Sequence, residues 1–406
     1  MIGALATTVV SFQKYQVPQC NEVAGFSMVD LQMDAIDPSE YVLNLAHSPE
    51  TGMIAAVISN RNIALYNLHD GARQISSLNI SDNIAQKSLY FESQGSLVGH
   101  DSIVTDVLFD VTSPHILFSS SDDRTLRCWD IRTGRSEFQL THDAAVLSIS
   151  VGCGGTMLAT AADSAAHFFD IRRRQKVGVY GGGHIDQITQ VKFNYQNSTE
   201  IATGGEDGLV CIYDTRRATA DEALQAVLNP NCAVRRVGFF GKGGNGIFCL
   251  TGSETLSLWH KPTAQCVADW NDIRSDISKV DGVSGINYLV DCYYESSNER
   301  LYVAAGDAGG ALTICEVSDT SVTPRAKFGW STNDSDPRLQ GHRSTVRSLL
   351  VCEHYILSGG EDARICAWPL SHCIDNCDFK TKVTTSFKTS HAKTVKHPRD
   401  QKPTPY

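Results

Sequence analysis

Residues 99–132 read GHDSIVTDVLFDVTSPHILFSSSDDRTLRCWDIR, and the same arrangement returns further along the chain with its internal spacing intact. A Gly-His pair leads into two apolar runs, a polar turn SDDR follows, and a third run ends on Trp129-Asp130. Short alternating runs bounded by turn residues read as strands. A unit this small cannot bury both faces of its own sheet, so successive copies must stack against one another and share their cores.

The offsets inside the unit carry a physical purpose. Asp123 lies six positions and Ser119 ten positions before Trp129. A buried His100 imidazole can donate to the carboxylate of the turn and bond through its other nitrogen to the hydroxyl, which can accept the indole N–H. Such a relay pairs each polar group that the fold must bury. His184, Thr203, Asp207 and Tyr213 keep the same offsets, as do His342, Ser358, Asp362 and Trp368. A weaker copy has His142, Asp163 and Phe169, with Ala159 where the hydroxyl belongs, and His100, His142 and His184 fall 42 residues apart.

These Gly-His and Trp-Asp pairs resemble the WD40 repeat, and the resemblance implies an all-β propeller with four antiparallel strands per blade. Seven units are countable. The first, from Tyr41 to Leu68, lacks both signature pairs; the fifth, from Val234 to His260, keeps Trp259 but has Ser253 for the turn acid; the sixth, from Tyr288 to Val317, lacks the Trp-Asp pair. An eighth blade would follow if 69–97 formed one, and six would remain if the first unit were spurious. Residues 1–370 are therefore expected to form one propeller, with a strand from the first forty residues completing the last blade. The insert 69–97 is expected as a loop or outer strand, 218–230 as a short helical excursion, and 318–339 as a surface loop. GKGG and GSE in unit five, INYLVDCYYE and VAAGDAGG in unit six, and GGEDARICAW near the end resemble the family described as WD repeat-containing protein 89. That resemblance implies an interaction protein without catalysis.

Composition narrows the function classes. The 13 cysteines are scattered, several within third strands, and read as free buried thiols of an intracellular protein, cytoplasmic or nuclear. The apolar N-terminus is too short for a membrane span and lacks a basic signal region. His372, Cys373 and Cys377 form a single cluster with no second pair at ligand spacing, so no metal is expected. The Gly runs at 181–183 and 306–310 lack the Lys-Ser or Lys-Thr of a phosphate loop, and no cofactor is expected. The last 27 residues hold seven Lys or Arg against one acid, a charge of +6 that leaves −16 of the net −10 on residues 1–379. The 371–406 tail is expected to be solvated and disordered, because its bases are dispersed among Pro and Thr; nucleic acid is not the expected partner.

Three candidate sites remain. His100, Asp123 and Ser119 have the composition of a hydrolase triad, but a set repeated in several blades reads as structural, and no enzyme is expected. Arg132, Arg172 and Arg216 each stand three residues after the aromatic of consecutive units and resemble the Trp-Asp-x-Arg box of WD40 receptors that dock on the cullin-4 ubiquitin-ligase adaptor; the plainer reading is a local Asp–Arg pair at the strand exit. Asp122, Glu206 and Glu361 precede the turn aspartates of three units, and acids at equivalent positions would favour a basic protein segment over that face. The expected function is a protein-interaction scaffold, with the ubiquitin-ligase receptor as the alternative.

Overall fold

The computed structural model describes residues 39–70, 89–280, 283, 285–329, 341–352 and 355–370, with the backbone of 383–384. Its strands form seven antiparallel sheets, each built on consecutive strands in chain order, with Val383–Thr384 added to the edge of the sixth, and the chain is a seven-bladed propeller. The first strand of every blade is innermost: Val42–His47, Val104–Phe109, Val146–Gly152, Ile188–Phe193, Val234–Phe240, Tyr288–Glu295 and Val346–Val351. Each contacts the innermost strand of the next blade, and Val42–His47 also meets Val346–Val351, so the ring closes on itself. Seven apolar clusters lie between and within the blades, most of them drawing on two neighbours. Among the described residues the seventh blade has three strands; the residues expected to complete it lie outside those described.

The outer strands bear out one expectation, an outer strand within 69–97, and correct two others. Leu89–Leu97 is the fourth strand of blade 1, so the insert there supplies no separate blade. In 218–230 the helix is only Ala220–Ala223, and Leu224–Leu228 becomes the fourth strand of blade 4. The expected loop at 318–339 contains Ser321–Phe328, the fourth strand of blade 6, whose alternately buried residues match its position over the sheet. Val383–Thr384 pairs antiparallel with that strand at Ser321 and Val322; the rest of the basic tail lies outside the described residues. No helix among the described residues is long and apolar enough to cross a membrane.

All seven inner strands carry a bulge near their start, opposite the second strand, at the second residue in six blades and at the third, Val290, in blade 6. A bulge re-aims the side chains beside it, and the following residue is polar in every blade: Asn44, Asp106, Ser148, Gln190, Arg236, Asp291 and Ser348. This matters because an inner edge strand leaves backbone N–H groups without a ladder partner. Asp106 accepts from Val107 N at 2.9 Å and from Ile149 N of the next blade at 3.0 Å, while Gln190 Oε1 accepts from Val237 N of the next blade at 2.6 Å. Asn44 and Ser148 donate to the same Asp106 carboxylate at 2.9 and 3.0 Å. Burial raises the Asp106 pKa, and the hydrogen bonds oppose the shift.

Candidate functional site

The relay residues meet in three blades. His100 Nδ1 lies 2.8 Å from Asp123 and its Nε2 2.7 Å from Ser119 Oγ, which accepts the Trp129 indole N–H at 2.8 Å. His342 is held likewise by Asp362 at 3.0 Å and Ser358 at 2.8 Å, and Ser358 accepts from Trp368 at 2.7 Å. Burial lowers the His100 pKa and so favours the neutral form, whose Nδ1–H can donate to the carboxylate while Nε2 accepts the hydroxyl proton. Burial works to raise the Asp123 pKa, but bonds from Thr125, His100 and Asp101 N hold it down to about 2.

Blade 4 departs from the expected set. His184 Nδ1 lies 3.1 Å from both oxygens of Asp207 and Nε2 2.7 Å from Thr203, but Thr203 Oγ1 donates onward to Cys211 O at 3.4 Å. Tyr213 takes no part: its ring lies against Tyr180 with centroids 5.3 Å apart. A phenol has its donor at the ring's far end, where an indole carries N–H on its flank. Gly205 and Gly360 are required beside the relays, since a Cβ there would lie 2.6 Å from the histidine Nδ1 and 2.7 Å from the aspartate. In blade 3 His142 packs edge-on against His167 and Phe169, and burial lowers its pKa to about 4. Blade 5 has neither the turn aspartate nor a relay; Trp259 donates to Ser257 at 2.8 Å, and Arg235 with Glu254 grips the Leu289 backbone of blade 6 instead. The bulge between third and fourth strands reveals two positions the sequence pattern concealed, because Tyr66 and Cys315 occupy the aromatic's place in blades 1 and 6.

Ser119, Thr203 and Ser358 are fully buried and cannot meet a substrate as nucleophiles. Among the described residues no group of three or more His, Cys, Asp or Glu is placed to hold a metal; His372, Cys373 and Cys377 lie outside them.

Antiparallel order sends the turns between second and third strands, with the loops carrying the histidines, to one face, here called upper. The turns after the third strands lie on the lower face. Asp122 N, Glu206 N and Glu361 N donate to the carbonyls of Ile103, Gln187 and Thr345, so the three acids do occupy equivalent backbone positions. They are not electrostatically equivalent. Arg347 engages Glu361 through both Nε and Nη2, whereas Asp122 and Glu206 are exposed and in no ion pair among the described residues. Four further acids, Asp101, Asp143, Asp163 and Asp186, are exposed on the same face of blades 2–4, beside Ile185, which is 92 % exposed. Burial, with Asp123 adjacent, raises the Asp122 pKa.

The arginines divide differently. Arg132 holds Asp130 with Nε at 3.0 Å and Nη2 at 2.6 Å, and Arg216 holds Asp214 at 2.8 and 2.7 Å. Their forks are thus occupied locally, although the side chains are 65 % and 68 % exposed. In blade 3 it is Arg173, not Arg172, that lies near the aspartate, 3.9 Å from Asp170. The three residues therefore present no common fork to an adaptor.

The WD domain, G-beta repeat model matches residues 91–130, 175–214 and 335–369. The chain is 27 % identical over 380 residues to the WD repeat-containing protein GTS1 of Arabidopsis thaliana, covering 90 % of this chain and 88 % of that protein. It is 24 % identical over 343 residues to the WD repeat-containing protein 89 homolog of Dictyostelium discoideum, covering 84 % and 86 %. A chain in the crystal structure of the mitotic checkpoint complex superposes with a TM-score of 0.61 at 16 % identity, over 91 % of this chain and 98 % of that one, a likeness of fold alone. The chain thus carries WD40 repeats, matched in three stretches of its sequence, on a seven-bladed β-propeller.

Proposed function

We propose that the protein is a non-catalytic scaffold that receives a basic protein segment on the upper face of blades 2–4. The observation that carries this reading is the group of six exposed acids there, Asp101, Asp122, Asp143, Asp163, Asp186 and Glu206, none of them ion-paired among the described residues. Arg61 and Arg124 are the exposed cations beside them, and Arg61 is already turned to the Asp101 carbonyl at 3.1 Å. Like-signed charges over one surface raise the local concentration of a basic ligand and speed its association. Exposed Ile185 adds an apolar contact in the middle of the field. The occurrence of WD40 relatives in named assemblies, such as the GATOR2 complex protein Wdr59 of Drosophila melanogaster, supports an interaction role. Ten free cysteines among the described residues suit a reducing, intracellular setting.

The test is association with a Lys/Arg-rich partner recovered by co-purification, measured at low and raised salt. Wild type should bind with steep salt dependence, and Asp122→Asn with Glu206→Gln and Asp186→Asn should weaken it. Affinity indifferent to both salt and the triple substitution overturns the reading.

A further inference from the structure

We propose that the lower face of blades 2–5, opposite the acidic arc, binds single-stranded RNA, with a base stacked on Tyr195 at the mouth of the central channel. Judged by its tail alone, the sequence offered only dispersed basic residues. Folding gathers others. The turns after the third strands of blades 2, 3 and 4 place Arg135, Arg172 and Arg217 on one rim, exposed and in no ion pair among the described residues. The aspartates of those turns are spent on Arg132, Arg173 and Arg216, leaving Glu137, Asp221 and Glu222 as the exposed acids nearby.

The rim is joined by hydrogen bonds from blade 3 to blade 5. Cys153 N donates to Ser198 O, joining blades 3 and 4, and Gln196 Nε2 donates to Gly241 O at 3.2 Å, joining blades 4 and 5. Tyr195 is 56 % exposed there. Behind it stands an aromatic shelf, with Tyr294 at 6.4 Å between ring centroids and Phe240 a further 6.5 Å from Tyr294. Tyr195 also lines the central cavity, about 600 Å³, together with Lys192 and Arg236. Asp106 and Asp291 face the same space, but Asp106 is filled by four hydrogen bonds and Asp291 pairs with Arg236 at 3.5 Å. Lys192, exposed and without an ion pair among the described residues, is the cation available for a phosphate.

A flat ring flanked by unpaired cations is the arrangement that takes a base on its face and phosphates alongside. A phosphopeptide would use the arginines but has no base to stack on the shelf, and a membrane would need a broader apolar surface than one tyrosine. The acidic upper face does not forbid the site. Inner strands of six to eight residues separate the faces by about 20 Å, roughly two Debye lengths at physiological salt.

The test uses the full chain and a fluorescein-labelled single-stranded RNA of about 16 nucleotides, followed by anisotropy over a salt series. Wild type should bind at low salt. Tyr195→Ala should weaken binding at least about fivefold. Arg135, Arg172 and Arg217 changed together to Ala should reduce the slope of log affinity against log salt by about 2. All four residues are exposed, and circular dichroism confirms that the variants fold. Absence of RNA binding overturns the proposal, as does binding unchanged in both variants, which assigns it to the tail. Tighter binding of a phosphoserine peptide or of anionic vesicles, lost in the same variants, also overturns it. Loss of basic-partner binding in the upper-face variants with RNA binding intact leaves this site standing.

Discussion

Removing the relay hydroxyl should cost more in blade 2 than in blade 4, by an amount the geometry sets. Ser119 Oγ serves two buried partners, the His100 imidazole and the Trp129 indole, and none of the three has access to bulk water. Ser119→Ala therefore orphans both at once. Each unpaired buried group costs about 1–3 kcal/mol, so the expected loss is about 2–6 kcal/mol. Thr203→Val removes a hydroxyl that serves only His184 among side chains, because Tyr213 lies outside the relay. One orphan predicts about 1–3 kcal/mol. Ser358→Ala, which strands His342 and Trp368, should match blade 2. Urea unfolding followed by circular dichroism gives the midpoints, with constant m-values as the check that the unfolding transition is the same. A cycle of Ser119→Ala with Trp129→Phe isolates the indole's share, since the double variant no longer orphans that N–H. Equal losses in blades 2 and 4, or a loss below about 0.5 kcal/mol in blade 2, would refute the reasoning.

The acid side of the stability profile should show two steps. His142, with its pKa lowered to about 4 by burial, contributes stability that is complete above its ordinary 6.5 and lost as pH falls towards 4, and His142→Gln should flatten that window in a pH series of melting curves. Asp123, held at about 2, keeps its contribution above the ordinary 3.8 and loses it between there and about 2, so Asp123→Asn should be least harmful at the lowest pH. Lys261 and Glu200 pair across blades 4 and 5 with 11 % of each side chain exposed; Glu200→Gln should cost about 3–5 kcal/mol in thermal unfolding, and replacing both partners by apolar residues should cost less. Glu361→Gln, which only frees Arg347, should weaken basic-partner association by making the channel mouth more positive, while its salt dependence persists through blades 2–4.

Blade number and relay were legible because offsets of six and ten residues are imposed by a rigid sheet register, which a sequence preserves residue by residue. Outer strands were less legible: Ser321–Phe328 and Leu224–Leu228 carry Pro, Lys, Gln and Ala, because their exposed edges ask little of composition. The pairing of Arg347 with Glu361, which makes one of three equivalent acids unlike the others, depends on side-chain reach across two strands and leaves no spacing signature. The polar ring at Asn44, Asp106, Ser148, Gln190, Arg236, Asp291 and Ser348 was missed although a signal exists. An apolar residue, any residue, then a polar one stands at the start of the inner strand in every unit, the degenerate first included, and one residue later in the sixth.

Closure of the ring has a kinetic consequence. Gly359 fits so closely under Val42 that a Cβ there would fall 2.4 Å from Cγ1, yet the two residues are 317 positions apart in the chain. Neighbouring blades meet across about 42 residues instead, as the histidine spacing shows. Three doublings of loop length separate the two cases, a difference of about 2 kcal/mol in closure entropy. The six seams between sequence neighbours should therefore zip first, leaving an open arc whose ends find each other last and part first. Native-state hydrogen exchange should show the amides along this seam, on Val42–His47 and Val346–Val351, opening at lower free energy than those between blades 3 and 4.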